Sequence, residues 1–229
     1  MTTFLITGAS RGIGLGLVER LAARGDSVLA CARDPAAPDL AALAARSEGR
    51  VSVHRLDVGD ADSLAELAAS LDGQPIDVLV NNAGVRGPRR QGALDMDFAG
   101  FAETLAINTL APLRVAQALL PNLRAGERPR LVTISSRMGQ LTAPSTGDVA
   151  YRTSKAAVNK VMQLLAAELR PMGITVVVVH PGWVQTAMGG KAAALTVDQS
   201  TRGLIGVIDG LTIDKTGGFF NYDGTPLAW

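Results

Sequence analysis

Tyr151 and Lys155 stand four positions apart in Tyr151-Arg152-Thr153-Ser154-Lys155, inside a stretch, Ala150 to Arg170, patterned as a helix. That spacing puts both side chains on one helix face. A phenol beside an ammonium group is a proton-transfer pair. Tyrosine ordinarily titrates near pH ~10. At an effective dielectric of ~20, unit charges ~4 Å apart attract by ~4 kcal/mol, about three powers of ten in acidity. A phenol so placed exchanges its proton close to working pH. An apolar run, Leu131 to Ser135, ends upstream at a second hydroxyl-bearing point, Ser135-Ser136.

A different chemistry is written near the N-terminus, where Thr7-Gly8-Ala9-Ser10-Arg11-Gly12-Ile13-Gly14 links an apolar run to a helical pattern. Gly8 permits a sharp turn, Gly12 lets the backbone approach a pyrophosphate, and Gly14 lets helix and strand pack closely. The helix start then offers free N–H groups and positive dipole to phosphate oxygens. The spacing is G-x-x-x-G-x-G rather than the commoner G-x-G-x-x-G.

The elements that must hold these residues alternate. Phe4 to Thr7, Ser27 to Ala32, Val51 to Leu56, Ile76 to Val80, Leu131 to Ser135, Ile174 to Val179 and a short segment near Phe219 read as strands. Helical patterns fall at Ile13 to Arg24, Leu40 to Ala45, Ala61 to Leu71, Asp97 to Leu123, Ala150 to Arg170 and Val197 to Leu211, with loosening expected at Gly100 and Pro112. Continuous Val/Ile/Leu strands suit a sheet buried on both faces, and regular alternation with helices gives right-handed βαβ units. The expected fold is α/β: one Rossmann-type, doubly wound parallel sheet of about seven strands, order 3-2-1-4-5-6-7, over residues 1–229, with helices on both faces.

Composition narrows the function classes. Lys plus Arg is 22 and Asp plus Glu 21, a net charge of +1, which argues against nucleic acid or an anionic membrane as the main partner. No stretch approaches the ~18 apolar residues that cross a bilayer, and no signal peptide is visible, so the expected location is the cytoplasm. A single cysteine, Cys31, excludes an intramolecular disulfide framework. Two histidines, one cysteine and no acidic cluster give no expected metal site.

The glycine turn, Asn81-Asn82-Ala83-Gly84 after the fourth strand and Tyr151-x-x-x-Lys155 together resemble the short-chain dehydrogenase/reductase family over almost the whole chain. The C-terminal Gly217-Gly218-Phe219-Phe220-Asn221-Tyr222 and His180-Pro181-Gly182-Trp183-Val184 are similar to the branch that holds the sniffer-type carbonyl reductases and bacterial C-factor proteins. The resemblance implies that Tyr151 is the general acid/base, that Ser136 polarises the substrate oxygen, that Lys155 also holds cofactor ribose, and that Asn108 completes the catalytic set. It implies cofactor contacts from Gly8, Ser10, Arg11, Gly12, Ile13 and Gly14, from Asp57 and Val58, from Asn81, Ala83 and Gly84, from Tyr151 and Lys155, and from Pro181, Gly182, Val184 and Thr186. Asp57 also reads as a plain N-cap for the next helix. Ser136 and Tyr151 are separated by a longer interval than is usual in the family, the extra residues lying in the 143–148 loop.

Cofactor choice turns on the second strand. The family's acidic position for an NAD ribose falls on Ala32, followed by Arg33, while Arg11 lies in the glycine turn. Two guanidinium groups suit a 2′-phosphate, so the expectation is NADP(H) rather than NAD(H). Asp34, displaced by a small register shift, would reverse it. The implied activity is NADPH-dependent reduction of a small aldehyde, ketone or dicarbonyl to the alcohol by a homodimer or homotetramer. An NAD-linked alcohol dehydrogenase and a C-factor-like dinucleotide-binding signalling protein stay open beside it.

Overall fold

The computed structural model describes residues 1–142 and 146–229. Among the described residues nine strands form: β1 (Thr3–Thr7), β2 (Ser27–Ala32), β3 (Val51–Arg55), β4 (Val78–Asn81), β5 (Gln91–Gly92), β6 (Asp95–Met96), β7 (Arg130–Ile134), β8 (Thr175–His180) and β9 (Phe219–Asn221). The helices are α1 (Gly12–Arg24), α2 (Pro38–Arg46), α3 (Ala61–Ser70), α4 (Phe98–Leu105), α5 (Ala111–Ala118), α6 (Leu120–Ala125), α7 (Val149–Leu169) and α8 (Val197–Asp209). Seven strands make one parallel sheet in the order β3-β2-β1-β4-β7-β8-β9. Counted without the small β5-β6 hairpin, that is the expected 3-2-1-4-5-6-7.

Strand alternation divides the core into two layers. Phe4, Ile6, Val28, Val80, Val132 and Val177 face one side, against Leu17 and Leu21 of α1, Leu40 of α2 and Leu204 and Ile208 of α8. Leu5, Leu29, Leu79, Leu131, Val176 and Val178 face the other, against Leu67 of α3, Val115 of α5 and Val158 and Met162 of α7. Side chains of successive strand residues point to opposite faces, so a run such as Phe4-Leu5-Ile6 must be apolar throughout to serve both. Each such Leu or Ile contributes roughly 1.5–3 kcal/mol on burial.

Three details differ from the sequence reading. β3 is an outer strand, and Ser52 and Arg55 are exposed there, so it is not covered on both faces. The Asp97–Leu123 helix is a chain of pieces. It breaks at a π-helical turn, Ala106–Leu110, and not at Gly100, whose N–H is tied to the Asp97 side chain in the first turn of α4. The β5-β6 hairpin is too short to have left a periodicity. Among the described residues no helix is long and apolar enough to cross a membrane.

Candidate active site

The strand order reverses beside β1, and the carboxyl ends of β1, β4, β7 and β8 open onto one crevice, the usual ligand position in such sheets. Thr7 ties two of those ends together. Its Oγ1 accepts from the N–H groups of Asn82 and Ala83, each at 3.0 Å. Asn82 Nδ2 answers by donating to the carbonyls of Thr7 at 2.9 Å and Gly8 at 3.1 Å. Gly8 has φ +67°. A Cβ there would stand 2.9 Å from Ala83 Cα, so this turn admits only glycine. Thr7 and Asn82 were missed as organisers in the sequence reading. The signal was a polar pair flanking each strand end in the crevice.

The glycine turn fits a dinucleotide. No side chain caps the N-terminus of α1 and its first turn carries no acid, which leaves the helix start suited to an anion. Ser10 and Ile13 sit on the two sides of Arg11-Gly12 in this turn. A Cβ on Gly12 would lie 3.3 Å from Thr186 Cγ2, which brings the Pro181–Thr186 segment across the turn. That segment is braced. Ser200 Oγ donates to the Pro181 carbonyl at 2.7 Å, Val184 bridges Leu195, and Gly182 adopts φ +83° against Leu195 and Tyr222. Asp57 Oδ1 accepts from Gly59 N–H at 3.0 Å, while Asp60 caps α3, so Asp57 is not the N-cap. Val58, Asn81, Ala83 and Ile107 line a shallow depression beside Thr7. Arg11 and Arg33 are exposed and make no ion pair among the described residues. Asp34 Oδ1 accepts from Ala36 N–H at 2.9 Å, which turns that carboxylate into its own loop.

The proton-transfer residues come together at the end of β7. Ser136 is buried and Tyr151 is 8% exposed. Lys155 is 6% exposed, and its Nζ donates to the Ile134 carbonyl at 3.0 Å. Lys155 Nζ lies 5.8 Å from the centre of the Tyr151 ring. Ser135, the other hydroxyl, donates to Asn159 Oδ1 at 2.6 Å and is scaffolding. Burial is the largest influence on both titrating groups. It pushes the phenol up, against a hydrogen bond from Ser136 and the charge of Arg86 that pull it down. It pulls the ammonium of Lys155 down to about 8. The simple picture of a lysine acidifying a tyrosine therefore leaves out the cost of burying both.

Asn108 lies in the π-helical turn, a local widening often found at functional sites. Its Nδ2 donates to the Val85 carbonyl at 2.8 Å and to Ser154 Oγ at 3.0 Å, and its Oδ1 accepts from Val85 N–H at 2.9 Å. It thus links the Gly84 segment to α7. A Cβ on Gly84 would lie 3.1 Å from Asn108 Oδ1 and 3.7 Å from Lys155 Nζ. Gln91, also unforeseen, accepts from Tyr151 N–H at 3.1 Å and donates to the carbonyls of Arg86 at 3.1 Å and Pro88 at 2.9 Å. The extra residues between Ser136 and Tyr151 lie partly outside the described residues, at positions 143–145. His180 closes β8, and burial and the Arg137 charge pull it down to about 4, leaving the ring neutral at pH 7. No cluster of three or more metal-binding side chains exists among the described residues.

The chain is similar in sequence and fold to several known proteins. A sequence model described as short chain dehydrogenase matches residues 2–195. The chain is 50% identical to C-signal of Myxococcus xanthus over 157 residues, 68% of this chain and 93% of that protein. Carbonyl reductase Sniffer of D. melanogaster superposes with a TM-score of 0.93 at 35% identity, covering 100% of both chains. An NADPH-bound carbonyl reductase from chicken fatty liver superposes with a TM-score of 0.92 at 32% identity, covering 100% of this chain and 94% of that one.

Proposed function

Since the chain belongs to the short-chain dehydrogenase family, we propose that it is an NADPH-dependent carbonyl reductase, a single dinucleotide-binding domain spanning residues 1–229. The observation that carries this reading is the convergence of Ser136, Tyr151 and Lys155 at the carboxyl end of β7, beside an uncapped glycine turn. The likeness to carbonyl reductases, one of them NADPH-bound, supports the cofactor and the reaction class.

A bound reduced nicotinamide would supply the hydride that the carbonyl carbon accepts. The chain's own residues do the rest. Tyr151 donates its phenolic proton to the carbonyl oxygen as charge develops there. Ser136 hydrogen-bonds the same oxygen and polarises it. Lys155 stabilises the phenolate left behind and bonds ribose hydroxyls. Gly8, Ser10, Gly12, Ile13 and Gly14 cradle the pyrophosphate, and Arg11 and Arg33 clamp the 2′-phosphate. Asp57, Val58, Asn81, Ala83 and Gly84 take the adenine side, and Pro181, Gly182, Val184 and Thr186 take the nicotinamide side. Substrates are small aldehydes, ketones or dicarbonyls, a class suited by the short span between Thr186 and α8. The reaction belongs to a homo-oligomer in the cytoplasm, built on the α4–α5 and α7 faces.

The test is consumption of NADPH with a panel of carbonyl compounds. Turnover that stops in Tyr151→Phe supports the assignment, and turnover that persists there removes the proposed acid. The identity with C-signal favours a second reading, a dinucleotide-binding signalling protein. A signalling defect in a deletion strain that Tyr151→Phe fully restores would favour that role.

A further inference from the structure

We propose that Arg86, clasped by Asp148, is a positioning residue that sets the proton affinity of Tyr151. The inference rests on the role given to Tyr151 above. The Arg86 guanidinium carbon stands 5.4 Å from the centre of the Tyr151 ring. The guanidinium is oriented by a two-pronged bond to Asp148, with Nε to Oδ1 at 3.2 Å and Nη2 to Oδ2 at 2.8 Å. The pair is partly exposed, 46% for Arg86 and 29% for Asp148, and the planar fork gives the guanidinium a defined orientation.

The two partners are themselves fixed. Asp148 precedes α7 in a left-handed conformation, φ +51°, three residues before Tyr151. A non-glycine residue there stores strain that surrounding contacts must offset, and the Arg86 pair is one such contact. On the other side, Asn108 grips Val85, and Gln91 holds the Arg86 carbonyl while also accepting from Tyr151 N–H. The loop that carries the cation and the helix that carries the phenol are thereby braced together through two buried amides.

Among the described residues, the groups around the phenol are Lys155 on its own helix, the Ser136 hydroxyl from the turn after β7, Arg86 from the loop after β4 and Asp148 at the head of α7. Arg137, next to Ser136, acts on His180. Burial brings Lys155 down to about 8, so its charge fades in the alkaline range where the phenol loses its proton. A guanidinium keeps its charge throughout that range. Arg86 is therefore the lasting cation at the ring. It pulls the phenol down while Asp148 pushes it up, so the net effect is set by how the pair is held.

The chain has two tyrosines, Tyr151 and Tyr222, so ¹³Cζ-tyrosine NMR follows the Tyr151 titration directly, with Tyr222→Phe giving the assignment. Arg86→Gln should move that titration to higher pH. Asp148→Asn, which keeps a residue tolerant of the left-handed backbone, should move it to lower pH. Arg86→Lys should fall between Arg86→Gln and the parent. The alkaline fall of kcat/KM for carbonyl reduction should shift in the same directions. Simple loosening of the loop would move both variants the same way, and that result, or no movement in either, overturns the proposal. Opposite NMR shifts in a protein that turns over no carbonyl would uphold it and defeat the carbonyl reductase reading instead.

Discussion

Asn108 holds both backbone polar groups of Val85, accepting from the N–H at 2.9 Å and donating to the carbonyl at 2.8 Å. A side-chain amide used this way acts as one rung of a ladder between a helix and a loop that share no strand. The widened π-helical turn at Ala106–Leu110 is what aims it. The loop so fixed carries Gly84, close to Lys155 Nζ, and Arg86, close to the Tyr151 ring.

Asn108→Ala leaves Val85 N–H and C=O and the Ser154 hydroxyl without this partner. An unmatched buried polar group costs about 1–3 kcal/mol. The expected outcome is a destabilisation of that order in thermal unfolding. It should be accompanied by a fall in kcat larger than the change in substrate KM, because the disturbed groups lie at the proton-transfer residues. Steady-state kinetics beside calorimetry check both parts.

The pH dependence of stability has a defined sign. The buried Lys155 releases its proton near 8 in the folded state, against an ordinary value of 10.5. Between those values the unfolded chain binds more protons than the folded one, so stability rises with pH. The gain is on the order of 3 kcal/mol across the full interval. Above pH ~10 the raised phenol of Tyr151 opposes it, because the folded state then keeps a proton the unfolded state loses. In cofactor-free protein, Lys155→Met should raise the melting temperature at pH 7 and flatten the rise between pH 8 and 10. A drop in melting temperature at pH 7 would show that the buried ammonium stabilises the fold.

Cofactor choice should respond to the two exposed guanidinium groups. Arg33→Ala and Arg11→Ala should each weaken NADPH binding about tenfold or more and leave NADH binding nearly unchanged, since a charge-assisted bond to phosphate contributes about 1.5–3 kcal/mol. Titration calorimetry with both cofactors measures this without turnover. Equal losses for the two cofactors would contradict the clamp.

Much of this architecture was legible in the chain. Phe4-Leu5-Ile6 and Val176-Val177-Val178 declare a sheet covered on both sides, and the glycine turn declares where a helix begins on the end of β1. Tyr151 and Lys155 were legible because four residues on a helix fix a common face. What escaped has a physical reason. Thr7, Asn82 and Gln91 act through hydrogen bonds to backbone groups, most of them far away in the chain, which leave no period in the sequence. The β5-β6 hairpin has two residues per strand, too few to alternate. Pro112 was visible as a helix breaker, yet the break falls just ahead of it, in a π-helical turn set by tertiary contacts of Asn108 and Thr109 with Ser154. The raised phenol of Tyr151 follows from burial, which spacing cannot report.

The most direct test of the central claim is single-turnover reduction of a carbonyl substrate by the NADPH-loaded enzyme, comparing the parent chain with Tyr151→Phe. Phenylalanine keeps the ring and loses only the hydroxyl. A general acid contributes typically 10²- to 10⁴-fold, so the account predicts a loss of hydride-transfer rate in about that range with NADPH affinity retained. A variant that transfers hydride at the parent rate would contradict it.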